Sequence, residues 1–133
     1  MIDVQRTDFV SVPTRDRERA VRFYGETLGI AKNPSSHESF PEFETGNLTL
    51  SIVSPEEIGL DFQPLPFGTI VLRVPDVAAA RAELEASGIT FERETMDSGV
   101  CHMAFFRDPD GNGLMIHHRY APYADGRSPD EQV

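Results

Sequence analysis

The feature that most constrains this chain is an internal repeat. Residues 8–30, DFVSVPTRDRERAVRFYGETLGI, and residues 68–89, GTIVLRVPDVAAARAELEASGI, follow one grammar. Each opens on a short run of β-branched and apolar residues and reaches an acidic residue, Asp16 or Asp76. Each continues through an Ala/Arg/Glu-rich stretch and stops at Gly-Ile, Gly29-Ile30 or Gly88-Ile89. Strand, helix and stop, written twice, describe one supersecondary unit used two times in a chain.

The helical spacing supports that reading. Ala20, Phe23, Tyr24 and Leu28 recur at the i, i+3, i+4 spacing of one helix face, and Val77, Ala80 and Leu84 make the matching stripe. Asp76 is placed to cap the first turn, and Gly88 to supply the left-handed stop. After each helix, residues 31–53 and 90–118 hold short runs broken by Gly, Asn, Asp and Pro at hairpin spacing, three strands in each. One strand pair near 40–45 and 48–53 flanks Thr45-Gly46-Asn47. Another near 100–107 and 113–118 flanks Asp108-Pro109-Asp110-Gly111-Asn112. Pro55, Gly59, Pro64 and Pro66 mark the stretch between the copies as a linker. The expected organisation is an α+β domain over 5–120, with βαβββ module one at 7–53, linker 54–66 and module two at 67–119. A polar, aperiodic tail at 121–133 is expected to be mobile.

Composition narrows the partners. The chain has 133 residues, 39% hydrophobic and 26% charged, which suits one globular domain with its own core. A formal charge of -10 repels phosphate backbones and anionic headgroups, so nucleic acid and membrane surfaces are not expected partners. No run approaches the roughly 18 apolar residues of a membrane span. The lone Cys101 closes no intrachain disulfide, and residues 1–10 carry acids where a signal peptide shows a basic end and an apolar run, so a cytoplasmic location is expected. GxxxxGK[ST], GxSxG, HExxH and CxxC are absent from the sequence.

Three groups of residues carry a family resemblance: Arg22-Phe23-Tyr24 with Leu28-Gly29, Val74-Pro75-Asp76-Val77 with Gly88-Ile89, and Phe106-Arg107-Asp108-Pro109-Asp110-Gly111-Asn112. The last is the most specific, because an Asp-Pro-x-Gly turn stands in register with two helix-strand copies. Together they resemble the vicinal oxygen chelate superfamily, which includes glyoxalase I, extradiol dioxygenases and the fosfomycin- and bleomycin-resistance proteins. The resemblance implies paired βαβββ modules whose mixed sheets curl into an open cup, the glyoxalase/bleomycin resistance/dioxygenase fold, completed as a homodimer.

Metal-dependent members of that superfamily carry His, Gln or Glu at one position in the first strand and one in the last strand of each module. The resemblance carries those positions to Phe9, Leu50, Thr69 and Met115, with Ser51 or Ile116 in place of the last-strand residues if the register slips by one. None is a good divalent-metal ligand, so no metal and no cofactor are expected. Phe9, Leu50, Thr69 and Met115 are instead candidates to line an apolar pocket. His102 and His117 are expected on the cup face as substrate-binding residues and as candidate acid-base groups, with His118 turned away. Adjacency in the strand sets Cys101 opposite His102, against a Cys-His pair and in favour of a small core residue. The cluster Arg15, Arg17, Arg19 and Arg22, interleaved with acids, is expected to be a solvated helix face.

Two functions follow. The first is a metal-free protein that binds or sequesters an apolar or aromatic small molecule, similar to bleomycin-resistance proteins. The alternative is a glyoxalase-like or dioxygenase-like lyase, isomerase or oxidoreductase, working through histidine acid-base chemistry or an altered metal site.

Overall fold

The computed structural model describes residues 1–130, so the last three residues of the tail expectation lie outside the described residues. Two compact units divide the chain. The first comprises Met1–Leu65 together with Asp108–Asn112; the second comprises Pro66–Arg107 and Gly113–Val133.

In the first unit, β1 (Phe9–Pro13) leads into α1 (Arg17–Arg22), followed by β2 (Ala31–Lys32), β3 (Glu42–Glu44) and β4 (Thr49–Val53). The sheet order is β1-β4-β3-β2, with β1 parallel to β4 and the remaining pairs antiparallel. Asp16 caps α1 by accepting from the Arg19 amide at 3.1 Å, a contact worth about 1 kcal/mol. The sequence spacing predicts one continuous helix to Leu28. Instead the chain widens into a π turn over Phe23–Thr27, in which the Leu28 amide donates to the Phe23 carbonyl at 2.9 Å. Phe23 and Tyr24 are both buried there, and Gly25 leaves room for the Phe43 ring, whose edge lies 3.3 Å from where a Cβ would stand. Val12, Phe43, Leu50 and Ile52 complete this core.

The second unit repeats the order: β5 (Ile70–Arg73), α2 (Val77–Ala86), β6 (Met96–Asp97), β7 (Cys101–Arg107) and β8 (Gly113–Arg119). Its sheet runs β5-β8-β7-β6, again with the first pair parallel. Asp76 caps α2 through the Ala79 amide at 3.0 Å, and Gly88 takes φ +93° just past the helix, the left-handed stop that the sequence predicts. Helix α2 packs on β7 and β8. Arg81 lies over the Phe91 ring at 4.7 Å, and Phe91 meets Phe106 at 5.2 Å, which identifies the helix-covered face as that of Ala104, Phe106, Leu114 and Ile116. Among the described residues no helix is long and apolar enough to cross a membrane.

The turn between β7 and β8 belongs to the first unit and forms its polar centre. The buried Asp108 carboxylate accepts four hydrogen bonds: from the Tyr24 hydroxyl at 2.6 Å, from the Asp110 and Asn112 amides at 2.9 Å each, and from the Asn112 side chain at 2.8 Å. Asn112, with no exposed surface, also donates to the Pro13 carbonyl at 2.8 Å and accepts from the Leu65 amide at 2.7 Å. Asp110 accepts from the Thr14 hydroxyl at 2.6 Å, the Arg15 amide at 2.9 Å and the Arg19 guanidinium at 2.9 Å. Burial first, and then the carboxylates of Asp108 and Asp110, push the Tyr24 hydroxyl far above its ordinary pKa, so it stays a donor. The expectation of a wholly solvated arginine face therefore fails at Arg19, which is spent on Asp110, and Arg17 reaches Glu57 at 2.7 Å.

The tail likewise departs from expectation. Two guanidinium groups lie over the Tyr123 ring, Arg119 at 4.7 Å and Arg127 at 4.9 Å, and Pro129 is buried. Polar composition hides this order, because its partners are cation–π faces and backbone carbonyls rather than an apolar stripe.

Candidate functional site

Each sheet has a second face, away from its helix, and strand register decides which residues reach it. Directly paired residues project to the same side of a sheet. In the second unit Val71 pairs with Met115, Arg73 with His117, Met103 with His117 and Phe105 with Met115. Arg73, Met103, Phe105, Met115 and His117 thus share the open face with Val71. Thr69 precedes β5 in the same alternation and donates its hydroxyl to the Pro66 carbonyl at 2.6 Å. Phe67 stacks on Phe105 at 4.3 Å, and the space above Gly68 is bounded by Phe105 at 3.5 Å and Met115 at 3.6 Å. Phe105 is buried in this stack, while Phe67 and Val71 remain 49% and 50% exposed. Three expected pocket residues, Thr69, Met115 and His117, are therefore on one face.

Two expectations need correcting. Leu50 does not line an open face: it pairs with Val10 and Phe43, is buried, and belongs to the core under α1. The counterpart of Met115 in the first unit is Ser51. Aligning Gly46 with Gly111 misplaces the strand by one residue, because Gly46 stands three positions before β4 and Gly111 only two before β8. Phe9, Ser11, Thr49 and Ser51 share that unit's open face with Glu42 and Glu44, and Phe9 is 49% exposed.

His102 is the second correction. It pairs with His118 rather than with His117, so it projects from the helix-side face and cannot work beside His117 on one ligand. Its Nε2 lies 3.3 Å from Asp97, its ring meets Tyr120 at 4.8 Å, and Tyr120 donates to Asp97 at 2.7 Å. Hydrogen bonds from the Gly99 amide and then from Tyr120 hold Asp97 below the ordinary carboxylate pKa, and the same bond raises Tyr120. Cys101, buried, lies on the open face, in register with Arg119.

His117 is the titratable group of the open face. Burial first, then His118, Arg73 and Arg119, lower its pKa below the ordinary imidazole value of 6.5, so near neutral pH it offers a neutral ring with an acceptor nitrogen. The folded chain binds this proton less readily than the unfolded one, so the His117 contribution to stability is intact above pH 6.5. It declines as pH falls from there through the lowered folded value. A His117→Gln chain is expected to lose less stability over that acid window than the native chain, as urea midpoints measured at successive pH values will show.

The metal positions that the resemblance implies, shifted to the observed register, are Phe9 and Ser51 in one unit and Thr69 and Met115 in the other. A phenyl ring, two hydroxyls and a thioether do not make a divalent-metal set of the kind that supports Lewis-acid chemistry. Among the described residues no three His, Cys, Asp or Glu side chains are grouped to hold a metal ion. Sequence reasoning passed over Val71, Arg73, Phe67 and Phe105, although counting by twos from Thr69 would have reached the first two.

Comparison with known proteins agrees with this architecture. A structure of a glyoxalase family protein from Bacillus anthracis superposes with a TM-score of 0.73 at 24% identity, covering 87% of this chain and 96% of that one. TnmS3, an antibiotic binding protein from Streptomyces sp. CB03234, superposes with a TM-score of 0.70 at 26% identity over 90% of this chain and 99% of its own. A lactoylglutathione lyase of Pseudomonas putida is 44% identical over 48 residues, which are 36% of this chain and only 28% of that enzyme. Residues 6–116 match the model of the Glyoxalase/Bleomycin resistance protein/Dioxygenase superfamily. With two βαβββ units, parallel first and last strands in each sheet and the Asp108–Asn112 turn at the heart of the first unit, the chain belongs to that superfamily.

Proposed function

We propose that this protein binds an apolar or aromatic small molecule on the open face of its second unit, without catalysing a metal-dependent reaction. The observation that carries the reading is the group Phe67, Val71, Phe105 and Met115, a stacked ring pair, a flexible thioether and a β-branched side chain with half of Phe67 and Val71 in solvent. Such exposed apolar surface beside one polar acceptor, His117, is what an aromatic ligand requires. Similarity to an antibiotic binding protein supports the same reading.

A panel of planar aromatic compounds tests it by thermal unfolding. A ligand at a hundredfold excess over its Kd stabilises by about 2.7 kcal/mol, a Tm rise of roughly 10 °C for a domain of this size. Met115→Glu puts a carboxylate on the face and is expected to abolish the rise. No stabilising compound, or equal rises in native and Met115→Glu chains, would overturn the reading. The homodimer expected of the fold belongs to the same proposal and is read by light scattering.

The lowered pKa of His117 favours one further reading, a lyase or isomerase that uses this neutral imidazole as proton acceptor. It requires that His117→Gln remove turnover while leaving ligand affinity and Tm in place. Unchanged turnover in that variant would exclude it.

A further inference from the structure

Beside His117, at the end of β5, a cavity of about 490 Å³ is lined by Arg73, Val74, Pro75, His118 and Asp130. The chain itself supplies a carboxylate to its wall. The Asp130 carboxylate accepts from the Arg73 guanidinium at 3.0 Å and lies 3.5 Å from His118 Nε2. The other His118 nitrogen, Nδ1, is 2.9 Å from the Val74 carbonyl. A carbonyl only accepts, so Nδ1 carries hydrogen, and the ring is aimed with Nε2 toward the carboxylate. His118 is mostly buried, and Arg73 is 40% exposed.

We infer that Arg73 and His118 form a carboxylate-binding site which Asp130 occupies as a tethered stand-in, and that the small molecule bound by this protein carries a carboxylate that displaces it. Three features support this. The guanidinium and the imidazole come from neighbouring strands whose positions the sheet fixes, the imidazole oriented by a backbone hydrogen bond. Asp130 shows which chemistry the cavity accepts. Arg73 is the register partner of His117, so the anion site adjoins the open face on which Met115 and Val71 lie. The apolar half of such a ligand rests on the function proposed above; the anion site does not.

Tethering gives Asp130 the advantage of a high local concentration, so a free carboxylate competes poorly until the tail lets go. Removing the carboxylates at positions 130 and 131 in an Asp130→Asn/Glu131→Gln chain is therefore expected to tighten acetate binding about tenfold, read by NMR at the His118 ring. Acetamide, of the same shape and uncharged, is expected to bind neither chain. Adding Arg73→Gln to that variant is expected to return acetate binding to the native level or below while α2 and the sheet stay folded. Acetate binding that does not tighten, that acetamide reproduces, or that survives Arg73→Gln overturns the inference. Benzoate separates the two claims. Tighter binding of benzoate than of acetate supports a ligand spanning both subsites. Equal binding of the two, with acetate behaving as expected, keeps the anion site and removes the apolar half.

Discussion

An Asp108→Ala chain is expected to lose about 4 kcal/mol or more, enough to leave its first unit largely unfolded at ambient temperature. The carboxylate accepts from the Tyr24 hydroxyl, the Asp110 and Asn112 amides and the Asn112 side chain, all but the Asp110 amide belonging to fully buried residues. Each donor left unmet in a dry interior costs about 1–3 kcal/mol, against a total stability that is itself about 5–15 kcal/mol. Tyr24→Phe deletes one donor and leaves the acceptor three, so its expected cost is smaller, about 1–2 kcal/mol. Urea denaturation of both variants checks the contrast. Equal losses would mean that the carboxylate's other three bonds contribute nothing.

Gly113→Ala is expected to be the most damaging single methyl in the second unit, costing roughly 3 kcal/mol. A Cβ at this position would stand 2.1 Å from the Pro66 carbonyl oxygen and 2.8 Å from both the Gly68 nitrogen and the Phe67 Cα, all of them backbone. Its own dihedrals do not require glycine; the neighbouring strand entry does. To relieve the overlap residues 66–68 must retreat, taking the Phe67 ring from Phe105 and opening the space over Met115. The variant should therefore show both a lower Tm and a loss of aromatic-ligand affinity beyond that of Phe67→Ala. A Tm within 1 °C of native would contradict the contact geometry, since roughly 3 kcal/mol corresponds to a drop of many degrees.

The architecture was legible because its signals are local. Asp16 and Asp76 announce helix starts by chemistry that acts over three residues, and Gly88 announces a stop by backbone freedom. Alternation along β8 placed Met115 and His117 together without any knowledge of neighbours. The failures came where a neighbour decides. Leu50 was misassigned because hairpin turns of different length shift strand parity, and parity is all that separates core from open face. His102 was misassigned because its face depends on the β7–β8 register, which pairs it with His118. The Asp108–Asn112 segment stood out as a turn, yet its acceptors find donors in Tyr24, Thr14 and Arg19, more than 80 residues away. Arg73 and Asp130 escaped notice for the same reason.

That segment also sets an order of events during synthesis. The first 65 residues contain all four strands and the helix of their unit but lack the carboxylates that receive Tyr24, Thr14 and Arg15. At about 5–20 residues per second, several seconds pass before Asp108 is made. Until then the amino-terminal half carries unmet donors and waits, so it is a poor candidate for independent expression. A severed chain should regain its fold only when the piece bearing Asp108–Asn112 is supplied with it.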